Sequence, residues 1–221
     1  MEHGRIEVPQ EAGCRASEDR TAPRFTLLIR AAKLITTRGE FICVIRDVSE
    51  KGISLRGFHQ LPCEEPFSLE LQSGEQLAIE PVWARGFDAG FRFPAPVEVE
   101  RVVIAETSRF PKRKLRLAIA FPVELGFLGR RIAAEVLNIS QQGAKIRCDT
   151  QLALAQPLRV FSELLPEVRA RVRWRRGGAE GAEYGLVFDD TFSLGQLAEF
   201  AAAAQAPELL QTGTGGAAMR R

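Results

Sequence analysis

Four landmarks in this sequence occur twice, in the same order, and a repeat of that kind decides the architecture before any local reading. Asp47-Val48-Ser49-Glu50-Lys51-Gly52 and Asn138-Ile139-Ser140-Gln141-Gln142-Gly143 both fit [Asp/Asn]-x-Ser-x-x-Gly and begin 91 residues apart. Trp83 and Trp174, the two tryptophans of the chain, are also 91 residues apart, so each follows its motif serine by 34 residues. Gly90-Phe91-Arg92-Phe93 answers Gly185-Leu186-Val187-Phe188. Arg24 and Arg116 match at an offset of 92, which places a one-residue length change upstream of the motif. A duplication accounts for all four.

Between the landmarks the pattern is β. Phe41 to Ile45 is a compact apolar run, while Ile53 to Arg56 and Phe67 to Leu71 alternate apolar and polar. Leu77 to Trp83 continues the alternation, with Pro81 marking an edge or a bulge. The second copy offers Ala133–Leu137, Ala144–Arg147, Leu158–Phe161, Val168–Trp174 and Tyr184–Phe188. Gly39, Gly57, Gly74 and Gly129 punctuate these runs as turn residues. About six short strands in each ~90-residue unit fit a small barrel, whose closure removes the edges of a flat sheet.

The expected architecture is all-β with short helices: two tandem six-stranded barrels, with a helix after the second. Residues 1–17 are expected as a flexible lead, 18–95 as the first domain, 96–108 as a linker or helix, 109–205 as the second domain and 206–221 as a flexible tail. Ser193-Leu194-Gly195-Gln196 fits a capping box, which opens a helix from about Ser193 to Gln205, with Pro207 ending it. For Val97–Thr107 a helix equivalent to that one is favoured over a connecting strand.

Composition narrows the function. Apolar residues make up 45% of the 221 residues and charged residues 26%, which excludes wholesale disorder. No run approaches the ~20 apolar residues that cross a bilayer, and the amino-terminal stretch lacks the apolar core of a secretion signal. The cytoplasm is the expected location. Thirty basic against 28 acidic residues leave a formal charge of +2, too little to indicate nucleic-acid binding from bulk charge. Cys14, Cys43, Cys63 and Cys148 contain no Cys-x-x-Cys, and the histidines are His3 and His59. The nearest metal pattern, His59-x-x-x-Cys63, lacks a second pair, so no metal site is expected. The cysteines are read as reduced, with Cys43 in the core.

Arg20-Thr-Ala-Pro-Arg24 stands ahead of the first strand, and Asp47 follows Arg24 by 23 residues. An Arg-x-x-x-Arg arm, then Asp-x-Ser-x-x-Gly, then the Val-Trp…Gly-x-x-Phe tail, resembles the PilZ domain, and the resemblance covers nearly the whole chain as two copies. It implies six-stranded barrels that bind the bacterial second messenger cyclic di-GMP (c-di-GMP). Arginine suits that ligand: its planar fork matches the O6/N7 edge of guanine, pairs with phosphate and stacks on a base. The resemblance makes Arg20, Arg24, Asp47, Ser49 and Gly52 the first site. Asp47 would accept from a guanine N–H edge or anchor an arm arginine, Ser49 would bond base or phosphate, and Gly52 would allow a positive φ or a close approach to the ligand.

The second copy departs from the pattern. Aligning Arg116 with Arg24 places Lys112 where Arg20 stands, which keeps the charge and loses the fork. Arg113 can substitute by a small shift, or Arg109-Phe-Pro-Lys-Arg113 can be the true arm. Asn138, Ser140 and Gly143 fit. The second candidate site is therefore Lys112, Arg113, Arg116, Asn138, Ser140 and Gly143. The bland reading of each motif is a turn, with Asp and Ser capping local backbone groups.

Trp83 and Trp174 read as core anchors rather than ligand platforms. Arg169, Arg171, Arg173 and Arg175 alternate with Ala170, Val172 and Trp174, which would put four arginines on one strand face. That face is either simply solvated or a docking stripe for an acidic partner or nucleic acid. No nucleophile elbow, phosphate-binding loop or zinc-protease motif is present, so no enzyme is expected. The expected function is a c-di-GMP receptor that changes conformation on binding to regulate motility, biofilm or polysaccharide production through a downstream protein. The alternative is a PilZ-fold interaction module that has lost nucleotide binding.

Overall fold

The computed structural model describes residues 25–62, 66–103, 115–177 and 181–211. Arg20, Arg24, Lys112 and Arg113 lie outside them.

The first six strands are β1 (Phe25–Thr36), β2 (Gly39–Ser49), β3 (Gly52–Gly57), β4 (Phe67–Glu70), β5 (Gln76–Arg85) and β6 (Asp88–Arg92). They pair antiparallel in the order β1-β2-β3-β6-β5-β4, and β4 returns to β1 to close the barrel. A short helix, α1 (Val99–Val103), follows. The second set is β7 (Arg116–Leu117), β8 (Phe121–Phe127), β9 (Arg130–Ser140), β10 (Gly143–Cys148), β11 (Pro157–Phe161), β12 (Val168–Arg176) and β13 (Ala182–Phe188). Here β7 and β8 lie along one side of β9 like a single interrupted strand, and the β9–β10 pairing closes the ring. The order is that of the first barrel, so the sequence repeat is a repeat of topology.

Alternation places the cores. In β8 the buried Phe121, Val123 and Leu125 alternate with exposed Pro122 and Glu124. One cluster gathers Leu34, Phe41, Ile45, Leu55, Leu69 and Phe91 inside the first barrel, and another gathers Leu117, Val136, Ile146, Val172 and Leu186 inside the second. Burial pushes the Cys43 thiol up to about 12, in keeping with its expected place as a small core residue.

The last helix joins the two barrels. α2 (Leu194–Gln205) starts at Ser193, whose Oγ accepts from Gln196 N at 3.1 Å while Gln196 Oε1 accepts from Ser193 N at 2.9 Å; this is the expected capping box. Leu197, Ala198, Phe200 and Ala201 enter the second core, which also takes Ile42 from the outer face of β2. Ala206, one residue past the helix, belongs to the first core. The amide of Gln205 clamps Glu40, accepting from its N–H at 2.9 Å and donating to its carbonyl at 2.8 Å. The stretch from 206, expected as a flexible tail, begins instead with α3 (Glu208–Gln211), where Glu208 ion-pairs with Arg38.

A buried polar cluster completes the junction. Lys33, 6% exposed, ion-pairs with Glu40 and Glu70 at 3.0 Å each and donates to the Arg116 carbonyl at 3.2 Å. The other Glu40 oxygen accepts from Ala118 N at 2.7 Å. The backbone of the strand carrying Arg116 is thus bonded to the first barrel.

Candidate ligand-binding face

Both motifs sit at a backbone irregularity. The β2–β3 register slips between Ile45 and Asp47, and the β9–β10 register slips between Val136 and Asn138. Such a bulge inserts one unpaired residue and re-aims the next side chain. In β2 it leaves Ile45 and Val48 in the core and turns Asp47 outward. Asp47 then faces Ser54, whose Oγ donates to its Oδ2 at 2.5 Å.

The motif serine closes the hairpin. Ser49 Oγ donates to the Gly52 carbonyl at 3.2 Å, and Ser140 Oγ does the same to Gly143 at 3.1 Å. The hydroxyl thus serves a carbonyl rather than capping an N–H group. Gly52 and Gly143 are not needed for a positive φ. A Cβ at Gly52 would lie 2.8 Å from the Phe91 carbonyl oxygen, and one at Gly143 would collide with that of Leu186. The close approach expected at Gly52 is to a neighbouring strand.

The sequence landmarks converge on the outer faces of the barrels. Asp47 pairs with Ser54, Ser54 with Gly90 and Gly90 with Trp83, a row across β2, β3, β6 and β5. The equivalent row is Asn138, Lys145, Gly185 and Trp174. In both, the register slips just before the tryptophan and the indole lies over the glycine, where a Cβ would meet its Nε1. This corrects the core-anchor reading: Trp83 is half-buried, Trp174 is 40% exposed, and neither belongs to a core cluster. The rings stay outside because the bulge turns them there, and they cover backbone that glycine leaves bare.

The next row sets Ser49 and Gly52 beside Arg92, which is ion-paired with Glu80 at 2.5 Å. In the second barrel Ser140 pairs with Gly143 on one side and Arg116 on the other. Asp47, Ser49 and Gly52 therefore share one face, as do Arg116, Asn138, Ser140 and Gly143. Arg24 directly precedes Phe25, which pairs with Val48.

Sequence reasoning passed over Ser54, a polar residue 9% exposed that holds Asp47. Its signal is a serine two residues past the motif glycine on an apolar strand. Its counterpart Lys145 instead ion-pairs with Glu183 at 2.8 Å. The arginine stripe is also corrected. Arg169 and Arg171 point outward, but past the bulge Trp174 takes the outer position and Arg175 pairs with the buried Tyr184.

His59 is buried, its Nδ1 2.6 Å from the Gln60 carbonyl and its Nε2 without a partner. Burial lowers its pKa. Cys63 of the nearest metal pattern is outside the described residues, which contain no His/Cys/Asp/Glu group able to hold a metal.

Residues 106–203 match the family model described as PilZ domain. No curated protein matches the chain. Among solved structures, PlzA of Borreliella burgdorferi in complex with c-di-GMP is 11% identical, with a TM-score of 0.33, over 80% of this chain and 88% of that one. YcgR of Escherichia coli, also in complex with c-di-GMP, is 9% identical, with a TM-score of 0.35, over 83% and 86%. The Bacillus subtilis inhibitor of motility MotI/DgrA is 12% identical, with a TM-score of 0.35, over 85% and 99%. The second barrel is thus matched by the PilZ domain model, and the first repeats its topology, bulge and motif.

Proposed function

We propose that this protein is a cytoplasmic receptor for c-di-GMP that senses and transmits rather than catalyses. The observation that carries the reading is the outward turn of Asp47 at the β2 bulge, held by Ser54 and set beside the strand that Arg24 leads into. On this reading the guanidiniums of Arg20 and Arg24 take guanine edges and phosphates, and the Asp47 carboxylate accepts from a guanine N–H or orients an arm arginine. The side chains of Lys112, Arg113 and Arg116 with Asn138 form the corresponding site on the second barrel. Ordering an arm around the ligand changes the exposed surface or the packing between barrels, which a downstream motility, biofilm or polysaccharide component reads.

Calorimetry with the full chain tests this. Saturable heat is expected, lost in Arg24→Ala with the melting temperature unchanged. Absence of heat from folded protein at c-di-GMP concentrations on the order of 100 µM would overturn it. The Ser49 and Ser140 hydrogen bonds favour a second reading, because they explain the motif serine as a hairpin closure with no ligand at all. A protein-interaction module of that kind would hold its partner equally well with and without c-di-GMP.

A further inference from the structure

The end of the second barrel opposite α2 exposes apolar side chains that nothing in the fold uses. Three segments meet there: the β8–β9 hairpin at Leu128–Gly129, the loop from 149 to 156, and the end of β12. The register brings them together. Arg159 pairs with Gly126, Pro157 pairs with Arg171, and Ala155 N donates to the Val172 carbonyl at 2.8 Å, carrying the ladder into the loop. Leu128 is 92% exposed and Leu154 61% exposed, and Trp174, near the end of β12, is 40% exposed.

The backbone under Leu128 makes its exposure harder to dismiss. Its φ is 48° and that of Gly129 is 71°, the two positive values of a tight hairpin turn whose ordinary first residue is Asn, Asp or Gly. A leucine there is strained and buries nothing in return. Ala155 is likewise left-handed, with a φ of 60°. Cations surround these tips. Arg130, Arg173 and Arg175 are exposed and have no carboxylate partner among the described residues, and Arg176 follows. The facing acids are Asp149 and Glu183, the latter held by Lys145.

The first barrel serves as an internal control. Its equivalent hairpin is Thr37-Arg38, with Arg38 paired to Glu208 and Gly39 packed under Gln205. At the positions of Arg169, Arg171, Arg173 and Arg175 it carries Ala78, Glu80, Val82 and Ala84. The shared fold therefore requires neither these leucines nor these arginines.

We propose that this end of the second barrel docks on an anionic lipid bilayer. Leu128 and Leu154 enter the boundary between headgroups and acyl chains, Trp174 lies at headgroup level, and the guanidiniums hold lipid phosphates. Two leucines on separate convex tips offer a peptide no pocket, whereas a bilayer needs none. No helix among the described residues is long and apolar enough to cross a membrane, and the attachment proposed is peripheral. It does not depend on c-di-GMP binding.

Flotation of the full chain with vesicles tests the proposal. Phosphatidylcholine vesicles are compared with vesicles containing about one-third phosphatidylglycerol at low and high salt. Capture by the anionic vesicles alone is expected, weakened by salt. Leu128→Asn should lower capture about tenfold while raising the melting temperature, because Asn accepts the left-handed conformation; unfolding then cannot account for the loss. Arg130→Glu with Arg173→Glu should abolish capture, and Arg85→Glu on the first barrel should leave it unchanged. No capture by anionic vesicles at low salt, equal capture by neutral ones, or full capture of Leu128→Asn would each overturn the proposal, whatever protein the same face binds.

Discussion

The two barrels share what concerns backbone and differ in what concerns outward chemistry. Both have the bulge ahead of the motif, the serine that closes the next hairpin, the glycine pressed on a neighbouring carbonyl and the indole over a second glycine. At the same positions Asp47 and Ser54 become Asn138 and Lys145, and Ala78, Glu80, Val82 and Ala84 of β5 become four arginines of β12. Closure of a six-stranded ring leaves little freedom at a bulge or a close approach, whereas an outward side chain is free to change partner.

The largest expected effect probes the shared geometry. Gly143→Ala drives a Cβ into the Leu186 carbonyl, which belongs to a paired strand, and should cost about 3 kcal/mol or more in urea unfolding. Gly52→Ala, with 2.8 Å available, should cost about half as much. Equal costs would break the view that the second barrel is the tighter of the two at this point.

Next comes the junction. Lys33→Met leaves the half-buried Glu40 and Glu70 without their shared cation and should destabilise the chain by about 2 kcal/mol. Scattering should also report a wider separation of the barrels, since Lys33 holds the Arg116 carbonyl. A compact, stable variant would assign the orientation to α2 alone. Leu128→Asn should act oppositely, stabilising by about 1 kcal/mol in thermal unfolding, while Thr37→Asn on the first barrel should gain nothing comparable.

The smallest effect is confined to the first barrel. Burial depresses the His59 pKa in the folded state, so the unfolded chain binds the proton more tightly. The stability associated with neutral His59 is fully present above about pH 6.5 and falls as the pH drops below that value. The melting temperature should decline from pH 7 to pH 5, and His59→Gln should flatten that decline. An unchanged slope would assign the pH response to other groups.

Much of this was legible in the sequence. The 91-residue offset between motifs and between tryptophans is the offset between paired strand positions, because an identical topology needs identical spacing. Ser193 and Gln196 announced α2, since both capping partners lie within four residues. Pro81 announced the bulge in β5. Illegible were the consequences of pairing across strands. Period-two reasoning put four arginines on one face of β12 and the tryptophans inside, because β12 has no proline to mark the slipped register that Pro81 marks in β5. Ser54 went unnoticed because its role is set by the strand opposite. Nothing local marks Lys33 and Glu40 as a junction, because their bonds to the Arg116 carbonyl and the Ala118 amide come from the second barrel.

The clamp of Gln205 on Glu40 has a consequence for how the chain is made. The residues that bind the barrels to each other on α2 leave the ribosome only after both barrels have been translated, so neither ring has its final neighbour while it is being made. Until then Ile42 and Phe58 stand bare to water, and a nascent chain stalled short of residue 194 carries a sticky seam that the finished protein hides.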